Sequence, residues 1–116
     1  MGSRAATSAG RLSRPGRRAL VAAEMSDLHG PVSGVVELPH RMVWAPAPAG
    51  RFDLDDTYDR LRLYEIVLRE AVRPAELETW LNRDLLLELW PRLYLPRGVR
   101  RAWEDVHPHL AAVPVI

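Results

Sequence analysis

Four aspartates within a seven-residue stretch are the closest approach to a metal site in this sequence: Asp53, Asp55, Asp56 and Asp59. Their spacing is that of the start of a calcium-binding loop, which needs glycine at its sixth position and a bidentate glutamate at its twelfth. Counted from the first aspartate, those positions hold Tyr58 and Tyr64. A short acidic run before a helix also caps that helix. We therefore predict capping carboxylates and no metal.

The histidines could serve as zinc ligands or general bases, and there are four: His29, His40, His107 and His109. His107 and His109 flank a proline, so they cannot share a helix face as an i,i+4 metal-binding pair does. No serine or aspartate constellation accompanies any histidine along the chain, and the sequence has no glycine-rich phosphate loop. We predict solvated surface histidines. The sequence thus indicates no catalytic residue, no cofactor and no enzyme.

Tryptophan and arginine carry the strongest sign of an interaction. The chain has four tryptophans, and a domain this small has too little interior to bury all of them. One or two partly exposed indoles beside arginines would have the composition of an interface hot spot. We predict a partner-binding surface formed by Trp80, Trp90, Trp103, Arg97, Arg100 and Arg101.

The same arginines leave a second interpretation open, namely a DNA-binding transcriptional regulator that uses the last helix and an arginine-rich N-terminal arm. Glu104 and Asp105 lie one turn further along and would neutralise much of that helix face. The link from Trp90 to Pro96 is also longer than the turn of ~3–4 residues in a helix-turn-helix. A protein-interaction module is the first choice.

Composition restricts the class of protein. The chain has 116 residues, enough for one small domain. It has no cysteine, which excludes disulfides, thiolate catalysis and cysteine-based zinc sites and agrees with a cytoplasmic protein. No run approaches the ~20 apolar residues that span a bilayer. All 16 basic residues are arginine, and the formal net charge is +1.

Residues 1–24 are expected to form a disordered basic tail. They contain five arginines, one glutamate and little large apolar surface, so ordering them would be costly. A nucleic-acid-binding arm and an export signal are two interpretations, and a start of translation at Met25 is the third and preferred one. Without this tail the chain has a net charge of −3, which would suit a basic partner.

Residues 25–51 are expected to form an extended lead-in. Residues 35–38 and 42–44 are short strand candidates separated by Pro39. Residues 52–54 could return alongside residues 42–44 as a small ribbon. Strands this short need support from the helices that follow.

Residues 52–110 are predicted to form a helical domain, and residues 111–116 a short tail. The fold class is mainly α: a small bundle of about four short helices preceded by an extended segment or short β-ribbon. The connector before the last helix is expected to be anchored by Leu93, Tyr94 and Leu95. The helix boundaries follow from caps and prolines at Asp56, Pro74, Asn82, Pro91, Pro96 and Pro108.

One set of residues in the helical region carries a family resemblance: 52–56, 60–70, 84–86, 89–90, 95–96 and 99–103. In these residues the chain resembles a group of small actinobacterial proteins that tend to be encoded beside nucleotidyltransferase-type toxins of the abortive-infection kind. The resemblance implies an antitoxin-like or regulatory protein that binds its neighbour, and it carries over no catalytic residue. Ala71 stands where many of these proteins have glycine at the end of the first helix.

Overall fold

The computed structural model describes residues 6–14, 17–43 and 50–111. As predicted, the described chain is mainly helical, and its helices are accompanied by two two-stranded antiparallel sheets. The strands are β1 (Ala6–Arg14), β2 (Arg17–Ala22), β3 (Val35–Glu37) and β4 (Arg51–Asp53). The α-helices are α1 (Thr57–Glu70), α2 (Pro74–Trp80), α3 (Arg83–Leu89) and α4 (Arg97–Val106).

Residues 6–14 and 17–22 form the two strands of a hairpin, in a part of the chain where the sequence predicts a disordered tail over residues 1–24. β1 and β2 pair antiparallel, and both strands contact α4. Ala19, Val21 and Ala22 are buried in the same core as the helices. Disorder was predicted because the segment has little apolar surface of its own. Burial of that surface against α4 stabilises the ordered strands. Met25 is also buried.

The second sheet pairs two strands other than those of the predicted ribbon. β3 pairs with β4, and Val36 lies opposite Phe52. The expected partner segment is displaced because Pro39 leads into a 3₁₀ turn over His40–Met42. Trp44 lies outside the described residues. Phe52 is buried in the core and β4 contacts α1, so the small sheet is supported by the helices.

Helix α1 begins at a capping aspartate and ends at an alanine. The Asp56 carboxylate accepts from the Asp59 backbone amide at 2.9 Å, which satisfies a free amide of the first turn. The apolar face of the helix is buried in the core. Ala71 ends the helix in an extended conformation (φ −64°, ψ 136°), so the position does not need glycine.

Helices α2 and α3 are short because prolines and capping side chains set where they begin and end. Pro74 begins α2, and the Glu76 carboxylate accepts from the backbone amides of Val72 and Arg73. Asn82 then caps α3 by accepting from the amides of the two residues that follow Arg83. α3 ends at Leu89, before Pro91, as predicted.

The last helix, α4, ends before Pro108, also as predicted. Its buried face consists of Val99, Ala102 and Trp103, and Leu110 in the following 3₁₀ turn is buried as well. Within the described ranges, every helix is too short or too polar to cross a lipid bilayer.

The lead-in before β3 is tied to the α2–α3 junction. The Gly30 amide donates to the Leu81 carbonyl at 2.7 Å, and the Arg83 amide donates to the Leu28 carbonyl at 3.3 Å. A Cβ atom on Gly30 would lie 2.5 Å from the carbonyl carbon of Trp80. Only glycine allows this close backbone approach.

Candidate interaction surface

Two of the tryptophans predicted to bind a partner are sealed in the core. Trp90 is 1% exposed and Trp103 is fully buried, with ring centroids 6.3 Å apart. The Trp90 indole Nε1 donates to Glu104 Oε2 at 2.9 Å. The prediction that these two residues form a partner-binding surface is therefore wrong. Trp90 directly follows α3 and Trp103 lies on α4, and burying these two large rings against each other stabilises the fold.

His107 lies beside Trp103 and joins the end of α4 to the hairpin. Its ring centroid is 5.8 Å from that of Trp103, and its Nε2 lies 2.6 Å from the Ala22 carbonyl oxygen. A carbonyl can only accept, so Nε2 carries the proton. His107 is buried, which corrects the prediction of a solvated histidine at this position. The other three are exposed: His29, His40 and His109.

The three arginines of the predicted surface separate into two groups. Arg100 stacks over Trp90, with its guanidinium carbon 4.9 Å from the ring centroid. Its Nη2 donates to the carbonyls of Trp90 and Leu93, so Arg100 holds the connector to α4. Arg97 and Arg101 are exposed. Arg100 is thus engaged within the chain, and partner binding by Arg97 and Arg101 stays a prediction.

Trp80 is the one tryptophan of the predicted set that is only half-buried, and it lies at the end of α2. It packs against the core, and its backbone lies against Gly30. The structure brings Trp90, Trp103 and Arg100 together as an internal cluster, and Trp80 belongs to the separate α2–α3 junction.

Among the described residues, the exposed aromatic side chains are tyrosines, which the sequence had not indicated. Tyr58 is 65% exposed and Tyr94 is 85% exposed. Arg62 is exposed and lies over Tyr58, with its guanidinium carbon 5.9 Å from the ring centroid. We name Tyr58, Arg62 and Tyr94 the tyrosine–arginine surface.

This surface is held together by Glu65. Tyr58, Arg62 and Glu65 are spaced i, i+4, i+7 and share one face of α1. The Glu65 carboxylate accepts from the Tyr94 backbone amide at 2.8 Å, so the connector is fixed to this face of the helix. This bond takes the place of the i,i+4 helix pair that the spacing of Glu65 and Arg69 would favour. The helix rises about 10 Å between Tyr58 and Glu65.

Three of the four aspartates near the start of α1 accept hydrogen bonds from backbone amides through their carboxylates. Asp56 caps the helix, as predicted. The Asp59 carboxylate accepts from the Asp53 amide at 3.0 Å, and the Asp53 carboxylate accepts from the Asp55 amide at 2.9 Å. Each of these bonds fixes the turn between β4 and α1.

Comparison with known proteins adds no relative: no family model, no curated protein and no solved structure matches this chain.

Proposed function

We propose that this protein is a non-enzymatic interaction module that binds another protein through the tyrosine–arginine surface. The observation that carries the proposal is the combination of exposure and fixed position at Tyr94. Its side chain is 85% exposed, while its backbone amide is held by Glu65. A large aromatic group on a fixed backbone loses little conformational entropy when it is covered. Tyrosine and arginine are also the residue types enriched at binding hot spots.

The partner class we propose is a toxin encoded nearby, of the nucleotidyltransferase type, with this protein in an antitoxin-like role. The resemblance of the helical region to proteins encoded beside such toxins supports this class. The mechanism would be steric, with the exposed rings covering the partner's active surface.

The charged residues of this protein indicate whether the partner's binding face is basic or acidic. A basic partner would suit the net charge of −3 that the chain has without residues 1–24, but strands β1 and β2 lie in that segment and pack on α4. The whole chain carries +1. Arg62 lies within the surface, and Arg97 follows Tyr94 by three residues. Arginines at these positions favour an acidic face on the partner.

The test is co-purification with the product of the adjacent gene, followed by calorimetric titration of the purified proteins. We expect Tyr94→Ala and Arg62→Ala each to weaken binding by about tenfold or more. Glu88→Ala is the matched control, because Glu88 is exposed on α3 and lies outside the surface. The control should bind as the wild type does, and all variants should unfold at the same denaturant concentration.

Two results would contradict the proposal. One is failure of the two proteins to associate at micromolar concentration. The other is binding to DNA that weakens steeply with salt, as contacts to phosphates require, together with insensitivity to Tyr94→Ala.

A further inference from the structure

Strand β3 has one edge that no described strand covers. β3 and β4 form a two-stranded sheet. At the ends of their ladder the Leu38 amide donates to the Gly50 carbonyl, and the Leu54 amide donates to the Gly34 carbonyl. Antiparallel ladder bonds recur at every second residue. The even-numbered residues of β3 therefore bond to β4, and the odd-numbered residues direct their backbone groups away from it.

The odd-numbered residues of β3 are Val35 and Glu37. Their four backbone N–H and C=O groups have no backbone partner in the described part of the chain. The Val35 side chain is 59% exposed, and Val32 just before the strand is 51% exposed. An accessible row of unpaired backbone groups is a template for another extended segment.

The opposite edge of the same sheet is closed at one end. On β4 the Asp53 amide donates to the Asp59 carboxylate, and the Asp53 carbonyl accepts from the Asp56 amide. The first turn of α1 thus uses the outward backbone groups at this end of β4. The outward backbone groups of Asp53 are therefore used, whereas those of both outward residues of β3 are available.

The two faces of β3 restrict what could pair with it. Val36 is half-buried and packs against the core, so a neighbour beside it would extend an apolar face. On the solvent face, Glu37 and Val35 have Arg51 and Asp53 as cross-strand neighbours. The charged side chains of this face sum to −1, because two of the three are acidic.

We infer that the open edge of β3 accepts an extended segment of a partner protein, paired antiparallel. The segment has a basic residue opposite Glu37, followed by apolar residues opposite Val36 and Val35. A basic residue pairs with the excess negative charge, and β-branched apolar residues continue the two valine positions. The inference rests on backbone geometry and uses residues different from those of the tyrosine–arginine surface.

A second copy of the chain fits the edge less well. Two-fold pairing centred on Val36 would place each Glu37 opposite the Val35 of the other copy, so neither charge would find a partner. Such a contact would supply only four backbone hydrogen bonds, far from the ~1,000 Å² that a stable protein interface buries. The favoured occupant is therefore a segment of another protein.

The probe is the blocked pentapeptide acetyl-Thr-Arg-Val-Val-Thr-amide, added to the full ¹⁵N-labelled chain. At saturation we expect hydrogen exchange at the amides of Val35 and Glu37 to slow by about tenfold or more, because both become bonded. The control peptide is N-methylated at its arginine and its second valine. These are the amides that would donate to β3, so the control should leave the exchange rates unchanged.

A charge swap tests the side-chain part of the inference. Glu37→Lys should weaken binding of the arginine peptide by about two- to fivefold. A peptide with glutamate in place of arginine should regain that loss on the same variant. Equal binding of both peptides to both proteins would overturn the predicted charge preference.

Three further outcomes would overturn the inference. The first is unchanged exchange at Val35 and Glu37 at millimolar peptide. The second is equal binding of the N-methylated control. The third is protection that rises with protein concentration without peptide, together with a dimer in sedimentation, which would assign the edge to a second copy. None of these results bears on toxin binding through Tyr94, so the two proposals can fail separately.

Discussion

Two arginine–aromatic stacks in this protein share a chemistry and differ in surroundings. Arg100 lies 4.9 Å from the ring centroid of Trp90, and Arg62 lies 5.9 Å from that of Tyr58. Trp90 is 1% exposed, whereas Tyr58 is 65% exposed. The first stack belongs to the core and the second to the surface.

The difference lies in what the polar atoms of each stack bond to. Arg100 donates to two carbonyls of the connector, and the Trp90 indole donates to Glu104. These bonds are made inside the chain, so the stack has little left to offer a partner. Arg62 is exposed beside the Tyr58 ring, so a partner could reach this stack. A pair of arginine and aromatic residues therefore indicates an interface only after its hydrogen bonds have been assigned.

The largest expected contrast is between Trp103 and Tyr94. Trp103→Ala should lower the free energy of unfolding by about 3–5 kcal/mol, because it removes a fully buried ring and leaves a cavity. Tyr94→Ala should change it by no more than about 0.5 kcal/mol. Urea unfolding followed by circular dichroism measures both. Similar losses in the two variants would contradict the assignment of core and surface.

A conservative pair of variants refines this result. The indole nitrogen of Trp103 is buried without a hydrogen-bond partner in the described part of the chain, whereas that of Trp90 donates to Glu104. Replacement by phenylalanine should therefore be less destabilising at Trp103 than at Trp90, although both remove similar apolar area. The reverse order would show that Trp103 has a polar contact in solution.

The next contrast is between the two arginines. Arg100→Ala should lower the free energy of unfolding by about 1.5–3 kcal/mol, the range for hydrogen bonds to charged groups. Arg62→Ala should have an effect of about 0.5 kcal/mol or less. Arg100→Lys should recover little, because an ammonium group lacks the planar guanidinium that stacks over the Trp90 ring. Full recovery with lysine would mean that charge alone matters at this position.

The helices could be predicted because their signals are local. Asp56, Pro74 and Asn82 each act within a few residues of a helix start, and the apolar face of α1 repeats at the helical period. The hairpin could not be predicted in this way, because its burial depends on α4, which follows about 80 residues later. The Pro15-Gly16 dipeptide between the two strands is a turn signal that a search for hairpins could have used.

The exposed position of Tyr94 in the candidate surface likewise depends on a contact between distant parts of the chain. The connector was expected to be anchored by three apolar side chains, but Leu93 and Leu95 are buried and Tyr94 is exposed. In an extended segment, alternate side chains point to opposite sides, so the pattern was available once the segment was taken as extended. The contact of Tyr94 with Glu65 spans 29 residues and leaves no mark on local sequence.

The smallest contrast is between a buried and an exposed tyrosine. The Tyr64 hydroxyl accepts from the Asn82 amide at 2.8 Å, where α2 gives way to α3. Burial raises the pKa of Tyr64 from 10.0 to about 12, and this outweighs the lowering by the hydrogen bond from Asn82 and by the charge of Arg60. Tyr64→Phe should lower the free energy of unfolding at neutral pH by about 1–2 kcal/mol, because the Asn82 amide loses its acceptor.

The contribution of Tyr64 to the free energy of unfolding should also fall as the pH rises. Because the folded state holds the Tyr64 proton more tightly than the unfolded state does, the contribution of Tyr64 is complete below pH 10. It should then decline by about 1.4 kcal/mol per pH unit until the folded pKa is reached near pH 12. The variant Tyr64→Phe should lack this decline, and Tyr58→Phe should keep it, since Tyr58 is exposed. Urea midpoints measured from pH 9 to pH 12 on the three proteins separate these outcomes, and parallel curves would mean that Tyr64 is not sealed at the α2–α3 junction.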